Sequence, residues 1–131
     1  SFKPTYNIRY ATSLDGISWE FKNICIPSSK NKAVATPCVR KINDIYHMWY
    51  GYRAEVDENG KSGPYKIGYA TSFDKINWDL EKDQIDISET GWDSEMICYP
   101  NILKLKDQML LFYSGNNYGK TGFGYAKTNL K

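Results

Sequence analysis

The chain has 131 residues, of which 24% are charged and 41% hydrophobic, a globular composition that suits one domain with a real core. Net charge is only +2 and the 17 basic residues are scattered, which argues against a nucleic-acid partner, and no apolar run approaches the roughly 20 residues that span a bilayer. The three cysteines, Cys25, Cys38 and Cys98, lack paired spacing. They point to free, mostly buried thiols in a reducing, cytoplasmic compartment, and with His47 as the one histidine they speak against a zinc site.

The chain opens on Ser1-Phe2-Lys3-Pro4 without an initiator Met, as expected of a piece of a longer protein. The first patterned segment, YNIRYATSLDGISWE (Tyr6 to Glu20), predicts two short strands around an Asp15-Gly16 turn. Its Ser13-to-Trp19 part is similar to the Asp-box of sialidase-type propellers with one residue fewer between Asp and Trp. It is expected to be a structural hairpin. Pro37 precedes a strand at Cys38 to Ile42, Asn43-Asp44 reads as a turn, and Ile45 to Tyr52 is a strand dominated by aromatics. The Gly/Pro/Asn-rich Asp57 to Pro64 is a loop. YKIGYATSFDKINWD (Tyr65 to Asp79) then repeats the first segment 59 residues later with nine of fifteen positions identical, and GFGYAKT (Gly122 to Thr128) is a weaker third copy.

A second unit recurs at an offset of 63. TPCVRKINDIYHMWYGY (Thr36 to Tyr52) aligns with YPNILKLKDQMLLFYSG (Tyr99 to Gly115), pairing Pro37 with Pro100 and Tyr50 with Tyr113. Four short strands per unit of about 60 residues, with no sustained 3.6-residue apolar period, is the pattern of a β-propeller blade. The expected class is all-β, about two and a quarter four-stranded antiparallel blades: outer strands of one blade at 6–21, a complete blade at 37–80, and inner strands of a last blade at 97–128. Closed propellers carry four to eight blades. The expected partners are therefore a missing N-terminal propeller half or further copies of the chain.

Positions where the two units differ are the candidates for function. Asp93 and Glu95 fall opposite Lys30 and Lys32, and Tyr99 falls opposite Thr36. In extended chain the two carboxylates would project to one side about 7 Å apart. Such a pair suits acid–base work on a glycosidic bond, sugar hydroxyls or a hard cation; the bland alternative is a turn cap plus a lysine partner. Arg53 falls opposite Asn116, and Glu55 opposite Tyr118. Arg can grip a carboxylate or phosphate, while Asn and Tyr suit hydroxyl-rich ligands. GNNYGKTG (Gly115 to Gly122), which also carries Lys120, has one residue too few between its glycines for a phosphate loop, and a strand follows it where a helix is required. His47, in YHMWY, has no Ser or Cys placed to form a triad and reads as a packed strand residue.

The segments PCVRKINDIYHMWYGYR, YKIGYATSFDKINW, GWDSEMICYP and GNNYGKTGFGYA together resemble bacterial proteins related to five-bladed propeller glycosidases, the β-fructosidase, arabinanase and xylosidase-like families. The resemblance implies the C-terminal half of such a propeller, a carbohydrate ligand and no cofactor. Those families place an Asp on each of the first two blades and an acid Glu on the third. Glu95 would begin the last blade, so it does not map onto that acid, and the chain by itself is expected to be inactive. The leading expectation has Glu95 and Asp93 as acid/base or hydroxyl-binding groups, with Arg53, Tyr99, Asn116 and Lys120 on the ligand. The alternatives are a non-catalytic carbohydrate-binding or assembly module and a metal-bound scaffold built on Asp93 and Glu95.

Overall fold

The computed structural model describes residues 5–29, 32–53 and 59–128. Three antiparallel sheets follow one another along the chain. β1 (Ile8–Thr12) pairs with β2 (Glu20–Ile26); β3 (Ala33–Ile42), β4 (Ile45–Arg53), β5 (Tyr65–Ser72) and β6 (Asp79–Glu81) form a four-stranded meander; β7 (Cys98–Leu105), β8 (Gln108–Ser114) and β9 (Phe123–Thr128) form a three-stranded one. This is blade architecture. β2 runs to Ile26, beyond the expected limit at Phe21, and β3 starts at Ala33, ahead of Pro37. A bulge between Ala35 and Cys38 carries the strand across the proline, so Pro37 interrupts the ladder without ending it.

The sequence of β4, IYHMWYGYR, has no polar face because the central sheet is covered on both sides. Trp49, with Cys38, Ile67 and Tyr69, packs on Ile97, Ile102, Met109 and Leu111 from the last sheet and its lead-in. Met48 and Tyr50, alternating with Trp49, pack with Val34 and Ala70 on Ile8 and Ile26 of the first sheet. Each fully buried large side chain of this kind contributes about 1.5–3 kcal/mol. Gly68 belongs to this packing, since a Cβ there would lie 2.5 Å from the Tyr50 ring.

Turn chemistry sets the hairpins. Asn43 and Asp44 take φ of 49° and 66° between paired Ile42 and Ile45, the geometry of a two-residue type I′ connection. The hairpins after β1 and β5 share one hydrogen-bond plan. Asp15 accepts from the Ile17 and Ser18 amides at 2.8 Å, and Asp74 accepts from the Ile76 and Asn77 amides at 2.8 Å. These amide bonds hold the Asp15 carboxyl down at about 2 and Asp74 lower still. Both aspartates are spent on their turns, as a structural hairpin requires.

The joint between neighbouring sheets also recurs. The Val34 amide donates to the Tyr6 carbonyl at 3.0 Å, and the Ile97 amide donates to the Tyr65 carbonyl at 3.0 Å. β3 is thereby tied to the residue pair ahead of β1, and the lead-in to β7 to the start of β5. That tie brings Tyr65 and the 91–99 segment to one mouth of the fold.

Candidate functional site

Residues 91–96 form a clamped turn, not extended chain, and three devices hold it. The Trp92 ring stacks on Tyr113 with centroids 5.3 Å apart and lies against Gly115 and Gly124, where a Cβ would come within 2.4 Å and 2.8 Å of the ring. The Trp92 carbonyl accepts from the Asn116 amide and from Thr121 Oγ1, each at 2.8 Å. The buried Asn116 side chain completes the clamp. Its Oδ1 accepts from the Glu95 and Met96 amides at 2.7 and 3.2 Å, and its Nδ2 donates to the Gly91 carbonyl at 3.0 Å.

This turn separates the two carboxylates that extended geometry would have placed side by side. Asp93 is only 5% exposed and accepts from the Tyr113 hydroxyl at 2.9 Å. Burial and that bonded carboxylate push the Tyr113 phenol up to about 12. Glu95 is exposed. The Asn116 amide is taken up by the turn, and Asn116 is absent from the walls of the cavities described below. Lys120 stands exposed just past the turn, and it too is absent from the cavity walls described below.

Two expected residues do come together. Arg53, 8% exposed at the end of β4, and Glu95 line a cleft of about 500 Å³ with Pro64, Tyr65, Asn117 and Tyr118. Tyr99 lines a second chamber of about 180 Å³ with Ala33, Ala35, Thr36, Gly51 and Cys98. Tyr65 and Tyr118 border both chambers, their rings 5.7 Å apart edge to face, and Tyr118 lies 6.4 Å from Tyr99. Tyr99 and Tyr118 both have left-handed backbones, φ 58° and 59°, and are about half exposed. Such conformations cost a bulky residue free energy and recur at ligand sites. The Tyr99 strain sits in a bulge between Cys98 and Asn101 that aims the side chain at the mouth.

Tyr65 was not singled out from sequence, and Tyr118 was noted as the residue opposite Glu55 without being placed on the ligand. Tyr65 is shared with Tyr6 by the repeated segment, and a filter that keeps only differing positions removes it. Tyr118 carried a usable signal, an aromatic in the glycine- and asparagine-rich stretch after β8. Glu55, opposite it in the alignment, lies outside the described residues.

The remaining reactive groups serve the core. His47 Nδ1 is 2.5 Å from the Tyr69 hydroxyl, the ring stacks on Trp49 and Tyr69, and burial lowers its pKa. Cys98 is a buried free thiol pushed up to about 11, and Cys38 Sγ accepts from the Ile102 amide at 3.3 Å. Among the described residues no three His, Cys, Asp or Glu side chains lie together as a metal site, and no helix is long and apolar enough to cross a membrane. A third cleft of about 310 Å³ sits by the hairpin turns, between Ile42-Asn43 and Lys104 to Met109; it has no aromatic wall.

With that geometry in place, comparison with solved structures identifies the architecture. Zg3597, a family 117 glycoside hydrolase of the marine bacterium Zobellia galactanivorans, superposes with a TM-score of 0.77 at 23% identity, over 93% of this chain and 38% of that one. The Bombyx mori GH32 beta-fructofuranosidase BmSUC1 gives 0.58 at 16% identity, over 94% of this chain and 28% of that one. The fold is that of the glycoside-hydrolase propellers. A scan against protein-family models finds no match. Among curated proteins, two uncharacterized proteins of Mycobacterium tuberculosis are 41% and 40% identical over 124 residues, strain CDC 1551 and strain H37Rv respectively. The chain spans 39% of the length of each.

Proposed function

We propose that this chain is the C-terminal portion of a five-bladed, glycosidase-like propeller that binds or processes a carbohydrate at the mouth between its central and last sheets. One observation carries the reading. Glu95, from the turn ahead of β7, and Arg53, from the end of β4, line a single cleft walled by two tyrosine rings. Tyrosine offers a sugar an apolar ring face and a polar edge, while carboxylate and guanidinium grip hydroxyls and acidic substituents. In this reading Glu95 is the acid/base or hydroxyl-binding group and Arg53 faces an acidic substituent. Tyr99 packs against the sugar, and Asp93 and Asn116 hold the turn that presents Glu95.

The site is one wall. Glycoside hydrolysis uses two carboxyl groups flanking the bond, and the cleft has Glu95 alone among its described lining residues. The second carboxylate then comes from another part of the full protein or from a second copy, and this chain alone is inactive. The test is Glu95→Gln in the natural-length protein, with glycan binding and turnover measured side by side. Retained binding with lost turnover supports an enzyme. Intact turnover would sink the catalytic role. Binding with no turnover in the unmodified protein supports the second reading, a non-catalytic carbohydrate module, which the burial of Asp93 on Tyr113 favours.

A further inference from the structure

The geometry points to a two-chamber site, in which the Tyr65–Tyr118 pair divides the cleft so that it takes an oligosaccharide of at least two rings, one of them acidic. This rests on the carbohydrate reading above and deepens it. The outer chamber, about 500 Å³, is polar and holds Arg53, Glu95 and Asn117. The inner chamber, about 180 Å³, is walled by Ala33, Ala35, Gly51 and Cys98 with the rings of Tyr6 and Tyr99. Small-molecule clefts run to about 300–1,000 Å³ and pair apolar walls with a few placed polar groups. Here the two properties lie on opposite sides of one aromatic pair. A ligand that uses both must be long enough to pass Tyr118, apolar-faced at one end and charged or hydroxyl-rich at the other.

Chemistry assigns the ends. The inner chamber has no charged side chain among its described lining residues, so it suits the flat face of a neutral sugar ring packed on tyrosine. In the outer chamber Arg53 is nearly buried and Glu95 is exposed. A guanidinium held in a desolvated wall engages a planar carboxylate bidentately and strongly. A uronate belongs there, with Glu95 at the solvent side facing hydroxyls. Tyr118 is then the residue that selects ligand length. Its backbone is left-handed, φ 59° beside Asn117 at 54°, and its side chain borders both chambers.

The experiment is a binding titration of the natural-length protein against a panel of neutral and uronate-bearing mono-, di- and trisaccharides. Uronate disaccharides are expected to bind at least tenfold tighter than uronate monosaccharides and than neutral disaccharides. Tyr118→Ala should erase the gain from the second ring, and Tyr118→Phe should keep it. Ala35→Leu, which fills the inner chamber without touching Arg53, should weaken disaccharides tenfold and leave the uronate monosaccharide unchanged; near-ultraviolet circular dichroism verifies the fold of each variant. Equal affinity for one and two rings, or neutral glycans bound as tightly as acidic ones, overturns the two-chamber acidic site and leaves the carbohydrate reading standing. No binding to any member of the panel overturns both.

Discussion

Two strands lead into the mouth of this fold, β3 through Thr36-Pro37 and β7 through Tyr99-Pro100, 63 positions apart. Both bulge there with a left-handed residue, φ 50° and 58°, and both are tied by an amide two residues earlier to a tyrosine carbonyl of the preceding sheet. What surrounds the kinks differs. Beside β3, the space next to Gly51 is filled by the Thr36 side chain. Beside β7, the space next to Gly115 is filled by the backbone and ring of Trp92, and the turn behind it delivers Glu95 to the cleft. The same joint is left plain in one sheet and elaborated into a clamp in the other. The elaborated joint brings Glu95 to the cleft wall, and both joints border the chamber that holds Tyr99.

Substituting one glycine beside each joint breaks the comparison most sharply. Gly115→Ala would set a Cβ 2.2 Å from the Trp92 carbonyl, where backbone must move; it should cost about 3 kcal/mol in urea denaturation. Gly51→Ala meets only Thr36 Oγ1, at 2.8 Å, and should cost about 1 kcal/mol. Equal costs would show that the β7 clamp is no more rigid than the β3 joint.

Tyr113→Phe comes next. It strips the buried Asp93 carboxylate of its hydroxyl partner and should cost about 2 kcal/mol near neutral pH. It also changes the alkaline limb. The Tyr113 phenol is raised in the fold, from 10.0 to about 12, so the folded state keeps a proton that the unfolded chain gives up. Its contribution is whole below pH 10 and disappears as pH climbs to 12. The unmodified protein should lose stability across that window, and Tyr113→Phe should lose less of it. Parallel pH profiles would remove Tyr113 from the clamp.

The smallest stability effect belongs to Tyr99→Asn, which retains a residue tolerant of the left-handed backbone and should change stability by no more than about 0.5 kcal/mol. It should nevertheless lower glycan affinity several-fold.

How far sequence reaches follows from where each partner lies. The blades were legible because their determinants are local: the Asn43-Asp44 turn, the Ser-x-Asp hairpins and the aromatic alternation of β4 all act within a few residues. The shape of Gly91 to Glu95 was not. Its clamp comes from Tyr113, Asn116, Gly115 just after β8 and Gly124 in β9, about 20 to 30 residues further on, and nothing in WDSE itself forbids extended chain. That is why Asp93 and Asn116 looked like ligand contacts, while in the fold their side chains bond to Tyr113 and to the turn amides. Arg53 and Glu95 were legible as differences between units, but their meeting across two sheets depends on the Tyr65–Ile97 tie, a tertiary fact.

The most direct measurement is a crystal structure of the natural-length protein with the tightest-binding oligosaccharide from the panel. The account predicts one sugar ring beside Tyr99 and Ala35, a second beyond Tyr118, and ligand oxygens within hydrogen-bond distance of Arg53 and Glu95. A sugar seated instead at the opposite mouth, between Asn43 and Lys106, or one that touches neither Arg53 nor Glu95, would contradict it.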